Sequence, residues 1–393
     1  MKAVLVTAFM NYEARLSLAK EALEACGITR LVLTTDFDHM KKTRRASVPE
    51  GFNALCTRPY AKNISFSRIL SHRDFARKAA QRIECLAPDV IYAVVPPNSL
   101  IKELAHYKTQ HPNVKLIFDL CDLWPEALPR PLLKALFFPV FWAWRHLRDA
   151  YLPKADLVIT ECELFCQKAH LKNAKTVYWC AKDDGVFPAP NIKTDTVELA
   201  YLGSINHILD IERTARFVGE VARLRPVCVH VIGTGERKED FLLALRKAGA
   251  DVIDHGFLYD EAKKAQIFSH CRYGLNIMKE GIAVGLSMKS IDYLKAGLPL
   301  INSLAGDTAH FVREARVGVN LSDGAPCRVL QESLPDLFAA RKRARTLFET
   351  TFSVRAVKKK MTLILKEFLA GGLEHLFGFR IFSPFPVPSL ALH

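Results

Sequence analysis

The sequence predicts an α/β protein made of two doubly wound, largely parallel sheets in separate domains. Three observations lead there. The chain has 393 residues, more than one hydrophobic core usually serves. From its first residues, short β-branched apolar runs alternate with amphipathic helical stretches, the pattern of βαβ units. The alternation breaks off in a Gly-, Pro- and charge-rich stretch at 180–191 and then starts again, as an interdomain linker would make it do. The expected boundaries are a first domain at 1–185, a linker at 186–196, a second domain at 197–350, a helix at 351–370 and a tail at 371–393.

Composition limits the partners. Half the residues are hydrophobic and about a quarter charged, ordinary for a folded protein. The excess of 55 basic over 41 acidic residues gives a net charge of +14. That favours anionic partners: sugar nucleotides, lipid phosphates, an acidic membrane surface or nucleic acid. The ten cysteines are scattered, mostly in apolar periodic stretches, which suits free thiols in a reducing compartment. Cys162, Cys166 and His170 share a helical face. With no second ligand cluster and no C-x2-C spacing they make a poor metal site. The opening run reads as a strand rather than a signal peptide. The most apolar segment, 132–147, carries Lys134 and Pro139 and is too short to span a bilayer.

Taken in order, 3–7 is a strand, 13–25 an amphipathic helix ended at Gly27, and 31–35 a second strand. The first βα loop lacks G-x-G-x-x-G, which argues against a dinucleotide site there. Residues 41–45 are strongly basic, and 60–68 with His72 and Arg73 extend that surface. It is either a solvated face or a dock for an anionic acceptor or lipid head group, with Arg68 and Arg73 as contacts. A buried strand at 88–95 is stopped by Pro96 and Pro97, and Asn98 and Ser99 cap the next helix. The strand at 114–118 runs into Asp119-Leu-Cys-Asp122-Leu-Trp-Pro125, at the strand end where such sheets place ligands. One of Asp119 and Asp122 is expected to take the acceptor proton or bind a sugar hydroxyl. The other would serve the backbone; the sequence does not say which. Residues 129–147 set Leu132, Phe137, Phe138, Phe141, Trp142 and Trp144 among Lys134, Arg145 and Arg148. This composition fits an interfacial segment touching an anionic leaflet through Lys134, Phe138 and Trp142. A buried core helix is the alternative. Strands at 156–160 and 176–179 complete the first half.

The second half opens with a strand at 198–202, a helix at 210–224 and a strand at 227–232. The loop at 203–207 offers Gly203, Asn206 and His207. Gly233 and Gly235 either let backbone approach a ligand or make a tight turn. His255 and Gly256 follow the strand near Val252, and 273–278 is another strand. Then Gly285 to Pro299 reads as a loop, a helix capped by Ser287 and stopped at Gly297 and Pro299, and the next strand. A helix N-terminus at the C-terminal edge of a parallel sheet is a ready anion site. Lys289 opposes the dipole there, so it suits an anionic ligand better than it suits the helix. Asp292, three residues on, projects from the same face within reach of a sugar hydroxyl. Phosphate and hydroxyls together describe a nucleotide sugar; an ordinary surface pair at i, i+3 is the plain alternative. Helices at 307–315, 334–349 and 352–369 follow. The tail, with Pro384, Pro386 and Pro388 amid Phe and Leu, suggests disorder or membrane contact.

The run Ser287-Met288-Lys289-Ser290-Ile291-Asp292-Tyr293, with Ala296-Gly297-Leu298-Pro299, resembles the donor-binding segment of GT-B glycosyltransferases. The likeness is to the broad family-4 group of the bacterial surface-polysaccharide type. It is also similar to membrane-associated glucuronosyltransferases of that fold, which place a Met-Lys pair here. Asp119 to Pro125 resembles the loop that faces the sugar. The resemblance implies two Rossmann-like domains facing a cleft, with a C-terminal helix crossing back to the first, acceptor-side domain. In the second domain Lys289 would lie by the donor diphosphate and Asp292 on the ribose, with backbone around Gly256 beside the base. Two departures stand out. The family's Arg and Lys after the first strand of the second domain are missing, Ser204 taking the place of the Arg. Of its two acids seven residues apart only the second is matched, by Asp292, with Val284 at the first, so a retaining mechanism is not implied.

The expected function is transfer of a hexose or related sugar from a UDP- or GDP-linked donor to a hydroxyl of a glycan or lipid-linked glycan. The expected setting is the cytoplasm, with peripheral contact at the inner face of the plasma membrane. No cofactor is expected, and the arrangement around Lys289 does not require a metal. Two other classes stay open: a nucleotide-binding or regulatory protein that has lost its chemistry, suggested by the missing Arg and Lys, and a basic nucleic-acid-binding protein.

Overall fold

Strands buried on both faces of a parallel sheet are apolar over most of their length, and several strands here are buried from end to end, Val90–Val95, Leu157–Thr160, Val197–Leu202 and Tyr273–Asn276 among them. The computed structural model describes residues 1–63, 65–126, 138–172 and 174–377, the last six by backbone alone. Lys134 and the Pro-rich end of the tail lie outside the described residues.

The first domain runs through β1 (Lys2–Thr7), α1 (Glu13–Ala25), β2 (Thr29–Thr35), β3 (Phe37–Asp38), β4 (Thr43–Arg44), β5 (Phe52–Leu55), α2 (Phe66–Leu86), β6 (Val90–Val95), α3 (Asn98–Gln110), β7 (Lys115–Leu120), α4 (Phe138–Tyr151), β8 (Leu157–Thr160), α5 (Glu163–Lys168) and β9 (Ala174–Thr176). Its parallel sheet has the order β5-β2-β1-β6-β7-β8-β9, with β3 and β4 as a separate antiparallel pair. The second domain contains β10 (Val197–Leu202), α6 (Ile211–Ala222), β11 (Val227–Ile232), α7 (Lys238–Lys247), β12 (Ala250–Gly256), α8 (Glu261–His270), β13 (Tyr273–Asn276), α9 (Met288–Lys295), β14 (Leu300–Asn302), α10 (Asp307–Glu314), β15 (Gly318–Asn320), α11 (Ala325–Gln331) and α12 (Leu334–Leu347). Its sheet order is β12-β11-β10-β13-β14-β15. Each sheet winds outward one way and then the other, so strand order reverses between β1 and β6 and between β10 and β13. Those are the switch points at which open α/β sheets leave a ligand crevice.

Short polar side chains start several helices by accepting from orphan N–H groups. Ser65 accepts from Arg68 N, Asp210 from Arg213 N and Ser287 from Ser290 N. The last helix, α13 (Val354–Phe377), returns to the first domain. Val357, Met361, Leu365 and Leu369 sit in that domain's core, and Lys115 Nζ donates to Leu369 O at 2.9 Å. Asp307, at the start of α10, fastens the domains together. Its carboxylate accepts from Glu163 N at 2.8 Å, Leu164 N at 3.0 Å and the Tyr178 hydroxyl at 3.0 Å.

The expected strand at 176–179 is displaced: β9 ends at Thr176 because Tyr178 and Trp179 are drawn into side-chain bonds with Asp307 and Glu161. The basic stretch around Arg68 is largely α2, with Arg73 on its exposed face. Among the described residues no helix is long and apolar enough to cross a membrane.

Candidate active site

The loops at the C-terminal ends of both sheets meet across the domain boundary. A Cβ on Gly285, in the loop before α9, would come within 2.9 Å of Cys162 Sγ and 3.0 Å of Leu164 Cβ of the first domain. The segment after β8 therefore faces the loops after β13 and β14.

On the first domain's side the two aspartates divide as the sequence left open. Asp119 is fully buried and saturated: Arg15 Nε and Nη2 donate to its oxygens at 2.7 and 2.8 Å, and the Tyr92 hydroxyl at 2.6 Å. A carboxylate so engaged holds α1 and β6 to β7 and is not available as a proton acceptor, so Asp119 is withdrawn from the catalytic set. Asp122 is half-buried and makes no ion pair among the described residues. Burial raises its pKa to about 6, against the pull of hydrogen bonds from the Trp124 side chain and Leu123 N–H and the charge of Arg68.

Glu161, at the end of β8, was not singled out in the sequence. It is 9% exposed, accepts a bond from the Trp179 indole, and has its pKa pushed up to about 8 by burial. Asp122 contributes to that rise, as it does to the raised pKa of Tyr12, itself dominated by burial. Tyr12 stacks on Trp179 with ring centroids 6.1 Å apart. Asp122, Glu161 and Tyr12 thus form one electrostatic cluster at the cleft. Only the Glu-Cys pair following a strand marked Glu161 in the sequence, and that signal is too common to select it.

On the second domain's side, Lys289 lies in the first turn of α9 with Nζ 4.9 Å from the centroid of the Tyr201 ring. It makes no hydrogen bond or ion pair among the described residues, and burial alone lowers its pKa to about 8. Tyr201 is in β10 and donates to Ser204 O at 2.8 Å, so the ammonium sits at the β10/β13 switch point, against the loop that follows β10. The Ser287 cap accepts from Ser290 N, and the N–H groups of Met288 and Lys289 meet no acceptor among the described residues. A half-buried ammonium beside unpaired N–H groups at a helix N-terminus attracts anions.

The remaining expected donor contacts fare unevenly. Ser287 is turned inward, donating to Asn276 Oδ1 at 3.1 Å, so its hydroxyl belongs to the fold. Met288 is 46% exposed at the helix tip. Asp292 does not share surroundings with Lys289. It lines a cavity of about 20 Å³ with Leu202, Glu261, Lys264 and Lys295, room for about one water, and burial raises its pKa. Asn206 accepts from Ile208 N at 2.9 Å, and exposed His207 pairs with Glu236 at 3.2 Å. Gly203 keeps a positive φ of 117° at the turn out of β10. Gly233 and Gly235 are explained by protein, not ligand: an added Cβ would lie 2.0 Å from Gly203 O or 2.2 Å from Ile205 O. Gly256 O accepts from Gly233 N at 2.7 Å. His255 bonds His230 at 3.0 Å, and His230 bonds Glu198 at 3.1 Å, a structural relay within the sheet.

Arg68, on the acceptor side, lies over the rings of Tyr60 and Trp124, 5.9 and 5.2 Å from their centroids. It makes no ion pair among the described residues. Phe138 and Trp142 are 62% and 56% exposed on α4. Among the described residues no three His, Cys, Asp or Glu side chains are grouped as metal ligands. Cys166 instead bonds Thr160 at 3.0 Å.

No protein-family model and no curated protein matches the chain. Solved structures do. A sucrose-phosphate synthase from Thermosynechococcus elongatus is similar with a TM-score of 0.66 at 14% identity, covering 94% of this chain and 100% of that one. The lipopolysaccharide outer core galactosyltransferase WaaB in its apo form gives 0.65 at 14% identity, over 93% and 100%. Anabaena HepE in complex with UDP-glucose gives 0.58 at 14% identity, also over 93% and 100%. At this level of identity the likeness shows the fold: two Rossmann-like bodies arranged as in GT-B glycosyltransferases.

Proposed function

We propose that the protein transfers a hexose from a nucleotide sugar to a hydroxyl of a glycan or lipid-linked glycan. The observation that carries this is Lys289, a half-buried ammonium with no counter-ion among the described residues, at a helix N-terminus on the switch point of the second sheet. The donor diphosphate would lie between the 203–207 loop and the first turn of α9. As the sugar–oxygen bond breaks, negative charge collects on the departing nucleotide, and Lys289 with the N–H groups of Met288 and Lys289 stabilises it. Asp122 accepts the proton of the acceptor hydroxyl, for which a pKa of about 6 suits a base near neutral pH. Glu161, protonated below about pH 8, can donate a hydrogen bond to a sugar oxygen.

The reaction needs no cofactor beyond its donor. The UDP-glucose in the HepE complex supports a UDP-linked donor, and the WaaB likeness a role in surface polysaccharide assembly. Exposed Phe138 and Trp142, with Arg145 on the same helix, support peripheral contact with an anionic membrane from the cytoplasmic side. The test is a thermal-shift screen of UDP- and GDP-sugars followed by a turnover assay on those that bind. One nucleotide class should raise the melting temperature and be turned over. Binding of none, or binding with neither hydrolysis nor transfer, would overturn the proposal.

A further inference from the structure

Tyr201, in β10, touches both of the parts between which the diphosphate would lie. Its ring is fully buried and packs edge to face with Phe241, the centroids 4.9 Å apart. Lys289 Nζ lies 4.9 Å from the Tyr201 centroid, within reach of a cation–π contact. The Tyr201 hydroxyl donates to Ser204 O at 2.8 Å, in the 203–207 loop. One rigid side chain therefore meets the ammonium with its ring and the loop with its hydroxyl.

Both ends of this contact are held by the fold. β10 and β13 are paired at Leu199–Tyr273 and Ala200–Gly274, and past that point the Tyr293 hydroxyl of α9 takes over, accepting from Leu202 N at 2.6 Å. A Cβ on Gly274 would come within 2.6 Å of the Tyr293 ring, so glycine is what leaves room for it. Lys289 stands one turn of α9 before Tyr293, and the bond that ties the helix to β10 thus fixes where the ammonium emerges. The loop is tied as well: Ile205 N donates to Thr234 O at 2.9 Å, and Arg237 N to Ile205 O at 3.1 Å.

The choice of partner matters chemically. A carboxylate would hold the ammonium too, but it would cancel the charge and compete with a diphosphate. An aromatic face attracts a cation through its quadrupole and carries no net charge, so the positive charge stays available to an anion. Burial keeps the phenol protonated while Lys289 titrates. His207, paired with Glu236, and Asp292, grouped with Lys264 and Lys295, do not act on Lys289, whose pKa is lowered by burial alone.

We propose that Tyr201 is a positioning residue of the nucleotide site: its ring holds the Lys289 ammonium and its hydroxyl holds the Ser204 carbonyl, setting the two walls of the diphosphate site against each other. The identity of the anion rests on the transfer reading above; the hold of the ring on the ammonium does not.

The first measurement therefore uses no nucleotide. Lysines isotope-labelled at Cε are followed by NMR through a pH titration of the full chain, the Lys289 signal being the one lost in Lys289→Met. Tyr201→Phe is the reference, and ring-fluorinated phenylalanines at position 201, carrying one, two and five fluorines, keep the buried shape while weakening the quadrupole. The Lys289 midpoint should fall stepwise along that series, by about one pH unit in all, the size of a cation–π contact expressed as a pKa shift. A ring that only fills space would leave the midpoint unmoved, and that result overturns the proposal. The second measurement is calorimetric titration with UDP. Tyr201→Phe, which removes only the hydroxyl, should weaken binding about fivefold at every pH, the effect of one hydrogen bond that orders the loop; unchanged affinity overturns the role of the hydroxyl. If UDP binds and its sugar is transferred while the midpoint ignores fluorination, the transfer reading survives and this one falls. If the midpoint follows fluorination and no nucleotide binds, the ring's hold on the ammonium stands and the transfer reading falls.

Discussion

Removing the ammonium of Lys289 should have opposite effects on the free protein and on its nucleotide complex. In the free protein, burial lowers the Lys289 pKa from 10.5 to about 8, which at about 1.4 kcal/mol per pH unit costs at most about 3 kcal/mol. The sign follows from linkage. The folded state favours the neutral amine, so the cost is fully present below pH 8 and vanishes as pH rises to 10.5. Lys289→Met, similar in shape and uncharged, should therefore raise the melting temperature at pH 7. A bound diphosphate supplies the missing counter-charge and returns the pKa to at least its ordinary value. Nucleotide affinity in the wild type should then fall about 20-fold between pH 7.5 and 9.5, as the free protein loses the proton that the complex keeps. Calorimetric titration of UDP, or of the nucleotide the screen selects, across that range is the assay. Lys289→Met should bind weakly with a nearly flat pH profile and show no transfer. A wild-type profile as flat as the variant's, or a variant as steep as the wild type, refutes the placement of the diphosphate at α9.

Other outcomes follow from the same site. Asp122→Asn should lower kcat by about 10²- to 10⁴-fold with little change in donor affinity, and the wild-type rate should fall below about pH 6; an unchanged rate would remove Asp122 as the base. Glu161→Gln should stabilise the protein increasingly from pH 4.5 to 8, by at most about 5 kcal/mol. The wild-type folded state holds a proton over that range that the unfolded chain releases, and chemical denaturation at pH 5 and 8.5 measures the difference. Asp307→Ala leaves Glu163 N, Leu164 N and the Tyr178 hydroxyl without their acceptor. It should cost about 2–4 kcal/mol and increase hydrogen exchange at the start of α5.

Local physics is enough to read much of this fold. The β-branched runs at β1, β6 and β10 fall within a residue or two of their expected positions, and α1 and the start of α9 are where capping and periodicity put them. These elements are legible because a buried parallel strand and a capped helix are specified by neighbours in sequence. Short edge pieces such as β3, β4 and β5 are not, since their partners, not their own residues, make them strands.

For the site, local sequence is enough to put an ammonium at a helix N-terminus after a parallel strand, because Ser287, Lys289 and Gly297 encode that turn among near neighbours. Tertiary structure alone decided which aspartate is free. Asp119 and Asp122 differ by one turn of chain, yet Arg15 and Tyr92, distant in sequence, saturate the first and leave the second to the cleft. It also decided that Lys289 has no counter-ion among the described residues, that Asp292 faces another cavity, and that burial favours the protonated form of Glu161. Each of these depends on what the folded chain brings within a few ångströms, and on how much water it removes, which sequence spacing does not record.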